Sequence, residues 1–178
     1  MAETSASKAS EPQPVLVHYG KASDATALND LYNHYIETTP ITFDLKPWSL
    51  EQRLAWVDGF REGGPYRLLV AERDGVLAGY ACSTRFRDKA AYSSTIETSI
   101  YCRHDVIGNG IGSLLYEALF EALRGEPVHK AIAGITLPND ASVALHRRFG
   151  FKLTGVNHEV GRKFDQYWDV AWYEKALE

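Results

Sequence analysis

A glycine-rich segment stands between a β-branched run and an amphipathic pattern. Glycines occupy positions 108, 110 and 112, directly after the alternating run of residues 94–102 and before apolar residues with helical spacing. This order predicts a strand, a tight turn and a helix N-terminus. Backbone N–H groups approach a phosphate closely at such a turn, and the helix dipole adds about half a positive charge. The segment from Gly108 to Ser113 therefore predicts a site for a pyrophosphate or similar anion, with a ligand-free turn as the alternative.

Two common phosphate-binding motifs do not match this loop. The dinucleotide fingerprint requires a glycine where Ser113 stands, and no acidic residue closes a strand about 20 residues later. The Gly-Lys-Ser/Thr sequence of nucleoside triphosphate-binding loops is also absent. The loop is therefore expected to bind a different class of anionic ligand.

The hydrophobic patterns predict the element order β-α-α-β-β-β-α-β-α-β-β. Strands are expected at residues 15–19, 66–73, 76–86, 94–102, 129–137, 151–160 and 163–174, with Asp74-Gly75 as a hairpin turn. Early hairpins and a later strand-helix-strand crossover indicate a mixed sheet.

Capping residues predict where the helices begin and end. Ser23 is expected to cap the first helix, Ser49-Leu-Glu-Gln52 to form a capping box, and Asn139 to cap a short helix that ends at Gly150. The expected buried stripes are Ala25, Leu28, Leu31, Tyr32 and Tyr35 in the first helix, Leu50, Leu54 and Val57 in the second, and Ile111, Leu114, Leu115, Ala118, Leu119 and Ala122 after the glycine loop.

Composition excludes several classes of protein. The chain has 178 residues, 45% of them hydrophobic, so residues 14–178 are expected to form one domain. Residues 1–13 predict a disordered tail and not a signal peptide, and no segment is long enough to span a membrane, so a cytoplasmic location is expected. A net charge of −4 without a basic stripe argues against nucleic-acid binding.

The cysteines and histidines do not indicate a metal or redox site. Cys82 and Cys102 both lie in strand-like runs, where small buried apolar side chains are expected in preference to a disulfide or a nucleophile. The six histidines lack the spacing of zinc ligands. No metal site is predicted.

The loop Gly108-Asn109-Gly110-Ile111-Gly112 resembles the acetyl-CoA loop of the GNAT superfamily of N-acetyltransferases, although Ile107 replaces the usual Gln or Arg. Four further stretches resemble its phosphinothricin/methionine sulfoximine N-acetyltransferase branch in the same order: residues 32–39 with Phe43, 91–101, 137–146, and 160–163 with Asp169. Lys89 replaces an arginine of the herbicide-resistance members, and Tyr167 stands where a tryptophan is usual. The resemblance implies an α/β GNAT-like fold, a mixed central sheet of about seven strands flanked by helices, with acetyl-CoA as co-substrate and a homodimer as the assembly.

Two residues are candidates for proton transfer. Glu97 lies mid-strand, where an acidic residue is disfavoured, and it matches the family's proposed catalytic glutamate. Burial would raise its pKa toward the range that suits a base, whereas on a solvated sheet face it would be structural. His146 stands where the superfamily usually has a tyrosine that protonates the CoA sulfur. It is expected to act as that acid or as a second base, with a helix-surface histidine as the alternative.

The resemblance also assigns the binding of acetyl-CoA. The backbone of Ile100, Tyr101 and Cys102 is expected to pair with the pantetheine arm and to present an N–H to the thioester oxygen. Asn139 and Ser142 share one helix face with His146, and Asn139 is expected to contact the same arm. The pyrophosphate is assigned to Gly108, Asn109, Gly110, Ile111, Gly112 and Ser113.

A basic strand end suits an anionic acceptor. Arg85, Arg87 and Lys89 alternate and so point to one face, where they would gather an anionic group, or they form a solvated charged loop. Phe43 and Tyr92 are expected as apolar walls, and Lys163 as a further substrate-binding residue implied by the resemblance.

These observations predict an acetyl-CoA-dependent N-acetyltransferase. The expected acceptor is the α-amino group of a small amino acid or analogue, acetylated by direct transfer in a ternary complex. The alternatives are another amine acceptor (a polyamine, an aminoglycoside or a protein N-terminus) and a CoA-binding sensor without turnover. The basic residues Arg87 and Lys89 disfavour a cationic acceptor.

Overall fold

A seven-stranded mixed sheet organises the chain, in the order β1-β2-β3-β4-β5-β7-β6. The computed structural model describes residues 14–177, so the tail predicted at residues 1–13 lies outside them. The strands are β1 (Leu16–Tyr19), β2 (Leu68–Arg73), β3 (Val76–Arg85), β4 (Thr95–Cys102), β5 (Lys130–Thr136), β6 (Lys152–Lys163) and β7 (Gln166–Ala176). Only β4 and β5 are parallel among these strand pairs. The mixed sheet and the predicted order of elements are confirmed.

Helices cover both faces of the sheet because its strands alternate apolar side chains between two cores. Leu69 and Ala71 of β2 pack with α3 (Ile111–Ala122), whereas Leu68 and Val70 pack with α1 (Ala25–Thr38). The remaining helices are α2 (Leu50–Val57) and α4 (Asp140–Arg148). Within residues 14–177, no helix combines the length and the apolar character needed to cross a bilayer.

One of the two predicted N-terminal serine caps is correct. Ser49 Oγ accepts from the Gln52 N–H at 3.2 Å and Gln52 Oε1 accepts from the Ser49 N–H at 2.8 Å, which is the predicted capping box. The prediction for Ser23 is wrong, since it lies inside a 3-10 turn and Asp24 occupies the cap position of α1. The Asp24 carboxylate accepts from the Lys21 N–H at 2.9 Å, and this contact holds the turn that delays the helix.

The buried stripes of two helices differ from the expected ones. Leu50 and Leu54 of α2 are exposed, and Arg53 between them is buried. In α3, Leu114 is exposed and Tyr116 is buried. In both helices a side chain with a polar group and a large apolar surface occupies the core position. Hydrophobic periodicity alone does not predict such a choice.

The two hairpin turns have left-handed backbone at both central residues. Asp74 and Gly75 have φ of 54° and 72°, which confirms the first predicted turn. The last turn is at Phe164-Asp165, with φ of 53° and 57°, so the predicted end of the strand at residue 160 is wrong. Gly161 lies within β6, where an added Cβ would clash with the Phe43 ring.

The separation of β4 from β5 positions the functional region. Their parallel pairing covers only Thr95 to Glu97 on β4, against residues 130–132 on β5. Beyond Glu97, β4 remains paired with β3 as far as Cys102, while β5 continues along β7. The second edge of β4 therefore has no strand partner among the described residues from Thr98 onward, and its backbone polar groups face an open space.

The close approach of β3 to β4 predicts a pair of contrasting stability effects. A Cβ added at Gly79 would lie 2.7 Å from the Tyr101 carbonyl oxygen, and a paired backbone cannot retreat easily. Gly79→Ala should lower the free energy of unfolding by about 1–3 kcal/mol, as overpacking does. Gly155→Ala is the matched control because no atom lies within 4 Å of its added Cβ. Its change should stay within about 0.5 kcal/mol in urea denaturation. Equal losses would show that the β3–β4 spacing is not constrained at Gly79.

Candidate active site

A cleft of about 450 Å³ fills the space where β4 and β5 separate. The strand backbone, the glycine loop and α4 form its walls. Predicted cofactor-binding residues account for much of this lining: Ile100, Tyr101, Cys102, Gly108, Gly110, Ile111, Gly112, Ser113, Asn139 and Ser142. Asn109 is the predicted residue that does not line the cleft; its N–H donates to the Val106 carbonyl at 3.2 Å.

The glycine loop has the geometry of an anion site. Gly108 and Gly110 have φ of 88° and 80°, a region that favours glycine, and Gly110 is the N-cap of α3. The Leu114 N–H bonds back to the Gly110 carbonyl at 3.1 Å, so the N–H groups of the three preceding residues have no partner within the helix. These donors and the helix dipole can bind a phosphate at the mouth of the cleft.

Helix α4 is fixed at both ends, which sets the direction of the side chains that face the cleft. Asn139 Oδ1 accepts from the Ser142 N–H at 3.2 Å, which confirms the predicted cap. At the other end Gly150 has φ of 84°, and the Phe151 N–H donates to the His146 carbonyl at 3.0 Å. This glycine-terminated end confirms the predicted stop at Gly150.

His146 is a buried residue of the cleft wall, 3% exposed, so the helix-surface alternative is wrong. Its Nδ1 lies 2.7 Å from the Ser142 carbonyl oxygen and its Nε2 lies 2.8 Å from the Tyr116 hydroxyl. Nδ1–H therefore donates to Ser142, and Nε2 accepts from Tyr116. Burial lowers the pKa of His146, which favours the neutral ring at neutral pH.

A second cavity of about 260 Å³ opens on the face of the sheet that carries α1 and α2. Alternate β4 residues contribute Glu97, Ser99 and Tyr101 to it. Ser99 and Tyr101 also line the first cleft. The two cavities therefore meet at β4, so ligands bound in each of them would approach one another there.

Glu97 lies on the wall of this second cavity, half-buried and not on a solvated sheet face. Burial raises the pKa of its carboxyl above the ordinary value, and the nearby positive charge of Arg87 offsets part of that shift. A carboxylate with a raised pKa accepts a proton more readily at neutral pH. The position therefore suits a general base.

The two cysteines are free thiols. Burial raises the pKa of Cys82 to about 12 and that of Cys102 to about 11. Since the thiolate is the nucleophile, both side chains are poor nucleophiles at neutral pH. The interpretation of the cysteines as structural residues is supported.

The predicted acceptor residues fall into two groups, and none of them lines the second cavity. Arg87, Lys89 and Tyr92 are exposed in the segment after β3, with the Arg87 guanidinium 5.8 Å from the Tyr92 ring centre. Because β3 ends at Arg85, the expected alternation of Arg85, Arg87 and Lys89 along a strand is wrong. Burial raises the pKa of Glu97 and the charge of Arg87 opposes that shift, so Arg87 lies near the cavity. We call Arg87 and Lys89 the basic rim.

Phe43 and Lys163 connect the loop after α1 to the last hairpin. Lys163 is buried, and its Nζ donates to the Thr42 carbonyl at 2.8 Å. The Phe43 ring lies over Gly161 of β6. Burial lowers the pKa of Lys163. The structure therefore places this pair where it fixes the loop that forms one wall of the second cavity.

Two residues of the site are absent from the sequence prediction: Arg53, which lines the second cavity, and Tyr116, which lines neither cavity but contacts His146. Both were hidden inside apolar helical patterns. A sequence signal for Arg53 is the pair of tryptophans near it. Trp48 precedes it on the chain, and Trp56 follows one turn later on the same helix face. Trp48 itself is held by Asn33, whose Oδ1 accepts from the Trp48 N–H at 2.8 Å.

Outside both cavities, His18, Asp24 and Glu72 bring potential ligand atoms within 4.8 Å of one another. The imidazole lies 3.6 Å from the Glu72 carboxylate, and Asp24 already accepts from the Lys21 N–H. These contacts account for the cluster as an ion-pair group at the β1–β2 edge.

Comparison with known proteins agrees with this geometry. The model of the acetyltransferase (GNAT) family matches residues 28–151. A phosphinothricin N-acetyltransferase of Streptomyces coelicolor is 52% identical over 92% of this chain and 96% of its own length. An L-methionine sulfoximine/L-methionine sulfone acetyltransferase of Pseudomonas aeruginosa is 32% identical over 88% of this chain and 91% of its own. The structure of a Sinorhizobium meliloti phosphinothricin acetyltransferase with acetyl-CoA is 27% identical, has a TM-score of 0.86, and covers 92% of this chain and 88% of its own.

Two substitutions at Gly110 distinguish the effect of an added negative charge from the effect of backbone strain. Gly110→Asp places a carboxylate where an anion would approach, and Gly110→Asn adds nearly the same bulk without charge. Both Asp and Asn tolerate positive φ better than most residues. We expect Gly110→Asp to weaken acetyl-CoA binding in calorimetry by about tenfold or more relative to Gly110→Asn, through like-charge repulsion. Equal affinities for the two variants would place the pyrophosphate elsewhere.

Proposed function

We propose that this chain, which belongs to the GNAT acetyltransferase family and is an acetyl-CoA-dependent N-acetyltransferase, acetylates the α-amino group of a small amino acid or analogue. The proposed reaction is direct transfer in a ternary complex. The meeting of the two cavities at Ser99 and Tyr101 carries this proposal. A donor in the first cleft and an acceptor in the second would react across β4 without a covalent enzyme intermediate.

The residues of the first cleft suit acetyl-CoA, which supplies the acetyl group as a thioester. The three free N–H groups at the start of α3 would bind the pyrophosphate. The unpaired edge of β4 at residues 100–102 would bind the pantetheine arm and stabilise negative charge developing on the thioester oxygen. Asn139 and Ser142 line the same cleft from α4. Together these groups hold the donor with its acyl end toward the second cavity.

Proton transfer is assigned to Glu97. A protonated amine is not a nucleophile, so the acceptor must lose a proton before its nitrogen attacks the carbonyl carbon. Glu97 takes that proton, the neutral nitrogen attacks to form the new C–N bond, and the C–S bond breaks. The second proton that the nitrogen loses as the amide forms is taken up by the departing thiolate, which leaves as the free thiol of CoA. The raised pKa of Glu97 makes its carboxylate a stronger base, which favours removal of a proton from the acceptor ammonium. The raised pKa values of Cys82 and Cys102 favour this direct route over an acyl-cysteine.

His146 is the second candidate for proton transfer. Its neutral ring accepts from Tyr116, so the pair forms a buried hydrogen-bonded unit beside the first cleft. The lowered pKa favours action as a base or as a positioning residue over donation from an imidazolium.

An anionic amino-acid analogue is the acceptor that the basic rim favours. Arg87 lies near the cavity of Glu97, and the exposed Lys89 follows two residues later; their positive charge would attract an anionic acceptor and repel a polyamine or an aminoglycoside. The relatives named for phosphinothricin and for methionine sulfoximine or sulfone support the same acceptor class. Phe43 and Lys163 support the cavity indirectly, through the loop after α1, and Tyr92 lies beside Arg87.

A homodimer is part of the proposal. The last hairpin carries the exposed apolar side chains Leu153, Val160, Phe164 and Tyr167. Exposed apolar side chains gathered on one hairpin are typical of an interface between chains.

The assignment of Glu97 predicts a large loss of turnover without a loss of donor binding. Glu97→Gln keeps the size of the side chain but cannot accept the proton, so kcat should fall by about 10²–10⁴-fold. Acetyl-CoA affinity should stay near that of the wild type. In the wild type, kcat should fall as the pH drops through the raised pKa of Glu97, because the protonated carboxyl is no base.

His146→Gln is the matched control for that experiment. It should retain the acidic limb of the pH profile, whereas Glu97→Gln should abolish it. Rates are measured as thiol release from acetyl-CoA with phosphinothricin or methionine sulfone. Turnover of Glu97→Gln near the wild-type value would assign the deprotonation to another group.

A further inference from the structure

A buried arginine without hydrogen-bond partners lines the second cavity, which the proposed function assigns to the acceptor and which is called the acceptor cavity from here on. Among the described residues, Arg53 and Arg67 are the arginines that are almost fully buried, 1% and 3% exposed. Arg67 donates from each guanidinium nitrogen, to the carbonyls of Ala122 and Arg61 and to the Glu126 carboxylate. Arg53 has no partner for Nε or Nη2. The protein therefore satisfies one buried guanidinium and leaves the other without acceptors.

Aromatic rings surround Arg53. Its guanidinium carbon lies 4.6, 4.5 and 4.6 Å from the ring centres of Tyr32, Trp48 and Trp56. These contacts attract the cation to the ring faces, but they do not replace the in-plane acceptors that N–H groups need. A buried donor without an acceptor is unfavourable. The rings thus hold the guanidinium in place while Nε and Nη2, both buried, have no acceptor among the described residues.

The rings are held by contacts that do not involve Arg53. The Asp44 carboxylate accepts from the Tyr32 hydroxyl at 2.8 Å and from the Trp48 indole N–H at 2.9 Å. Asn33 and Asn29 donate to the Trp48 carbonyl at 2.9 and 3.0 Å. Asp44, the acidic residue of this loop, is therefore engaged with the rings. The cavity wall around Arg53 is preformed.

We propose that Arg53 binds the α-carboxylate of the acceptor, a role that rests on the proposed function. Arg53 and Glu97 line one cavity of about 260 Å³, so a fixed positive charge and a proton-accepting carboxylate share a small space. An α-amino acid carries a carboxylate and an ammonium on one carbon, and this pair of charges complements that cavity. Nε and Nη2 are adjacent donors on one edge of the guanidinium, the arrangement that binds a carboxylate through two hydrogen bonds. The basic rim is then left for the distal polar group of the acceptor.

The test compares an acid with its amide in each variant. The acceptors are L-methionine sulfone and its α-carboxamide, which differ only in the carboxylate. Arg53→Met should lower the acid-to-amide ratio of kcat/KM by about 10–100-fold, the size expected for a charge-assisted contact. Arg53→Lys keeps the charge without the two-donor edge, so its ratio should fall by less. Acetyl-CoA affinity should be unchanged in both variants.

The comparison remains valid for variants that fold poorly, because a ratio measured in one preparation does not depend on the active fraction. If Arg53→Met does not fold, Arg53→Lys carries the test. Arg124→Met is the control for removing an arginine; Arg124 is exposed, pairs with Glu121 and lines neither cavity. Its ratio should equal that of the wild type.

Arg87→Ala gives the complementary result. With L-norleucine, which lacks the sulfone, Arg87→Ala should lose its effect, whereas Arg53→Met should remain impaired. If the acid-to-amide ratio is unchanged in Arg53→Met and Arg53→Lys while both substrates lose activity together, Arg53 is only structural. If wild-type enzyme uses acid and amide equally, the carboxylate assignment fails although amino-acid acetylation stands. If no amino acid is acetylated, both proposals fail.

Discussion

The parallel pairing of β4 with β5 stops after three residue pairs, and the active-site architecture depends on that stop. A continuous ladder would satisfy the second edge of β4 with the backbone of β5. Because the strands separate at Glu97, the backbone groups of the following residues that point away from β3 have no strand partner within the described part of the chain, although the Cys102 carbonyl accepts from the Tyr35 hydroxyl at 2.6 Å. The separation also opens the sheet between its two faces. Strand β4 is held in this position by β3, which pairs with it from Ile96 to Cys102.

Desolvation sets the proton affinities around this opening. It raises the pKa values of Glu97 and Cys82 and lowers that of His146, because burial disfavours the charged form of each group. A single physical cause thus makes a carboxylate more basic, keeps a thiol protonated and keeps an imidazole neutral.

Several elements that are determined by residues close together in the sequence were predicted correctly. The Ser49 capping box, the Asp74-Gly75 turn and the Gly150 helix end depend on residues within a few positions, and all three are confirmed. The turn at Phe164-Asp165 lacked a glycine signal and was missed. The family resemblance, and not periodicity, supplied the glycine loop's ligand and the candidate role of Glu97.

The acceptor cavity was the least predictable part because it is built from distant segments. Arg53 is polar, so the helical pattern placed it between two buried leucines, whereas the structure exposes Leu50 and Leu54. Its burial depends on rings from α1, the following loop and α2, and no window of sequence contains the contacts that hold that loop. Lys163 and Phe43 show the same effect, since their contacts join segments more than 100 residues apart.

The alternation of side chains along β4 has an evolutionary consequence. Glu97, Ser99 and Tyr101 line the acceptor cavity, whereas Thr98, Ile100 and Cys102 line only the donor cleft. In the proposed arrangement the donor is held largely by backbone groups, whose chemistry survives most substitutions. Descendants of one ancestral chain can therefore exchange side chains on the acceptor face and adopt new amines, while they inherit the same acetyl donor unchanged.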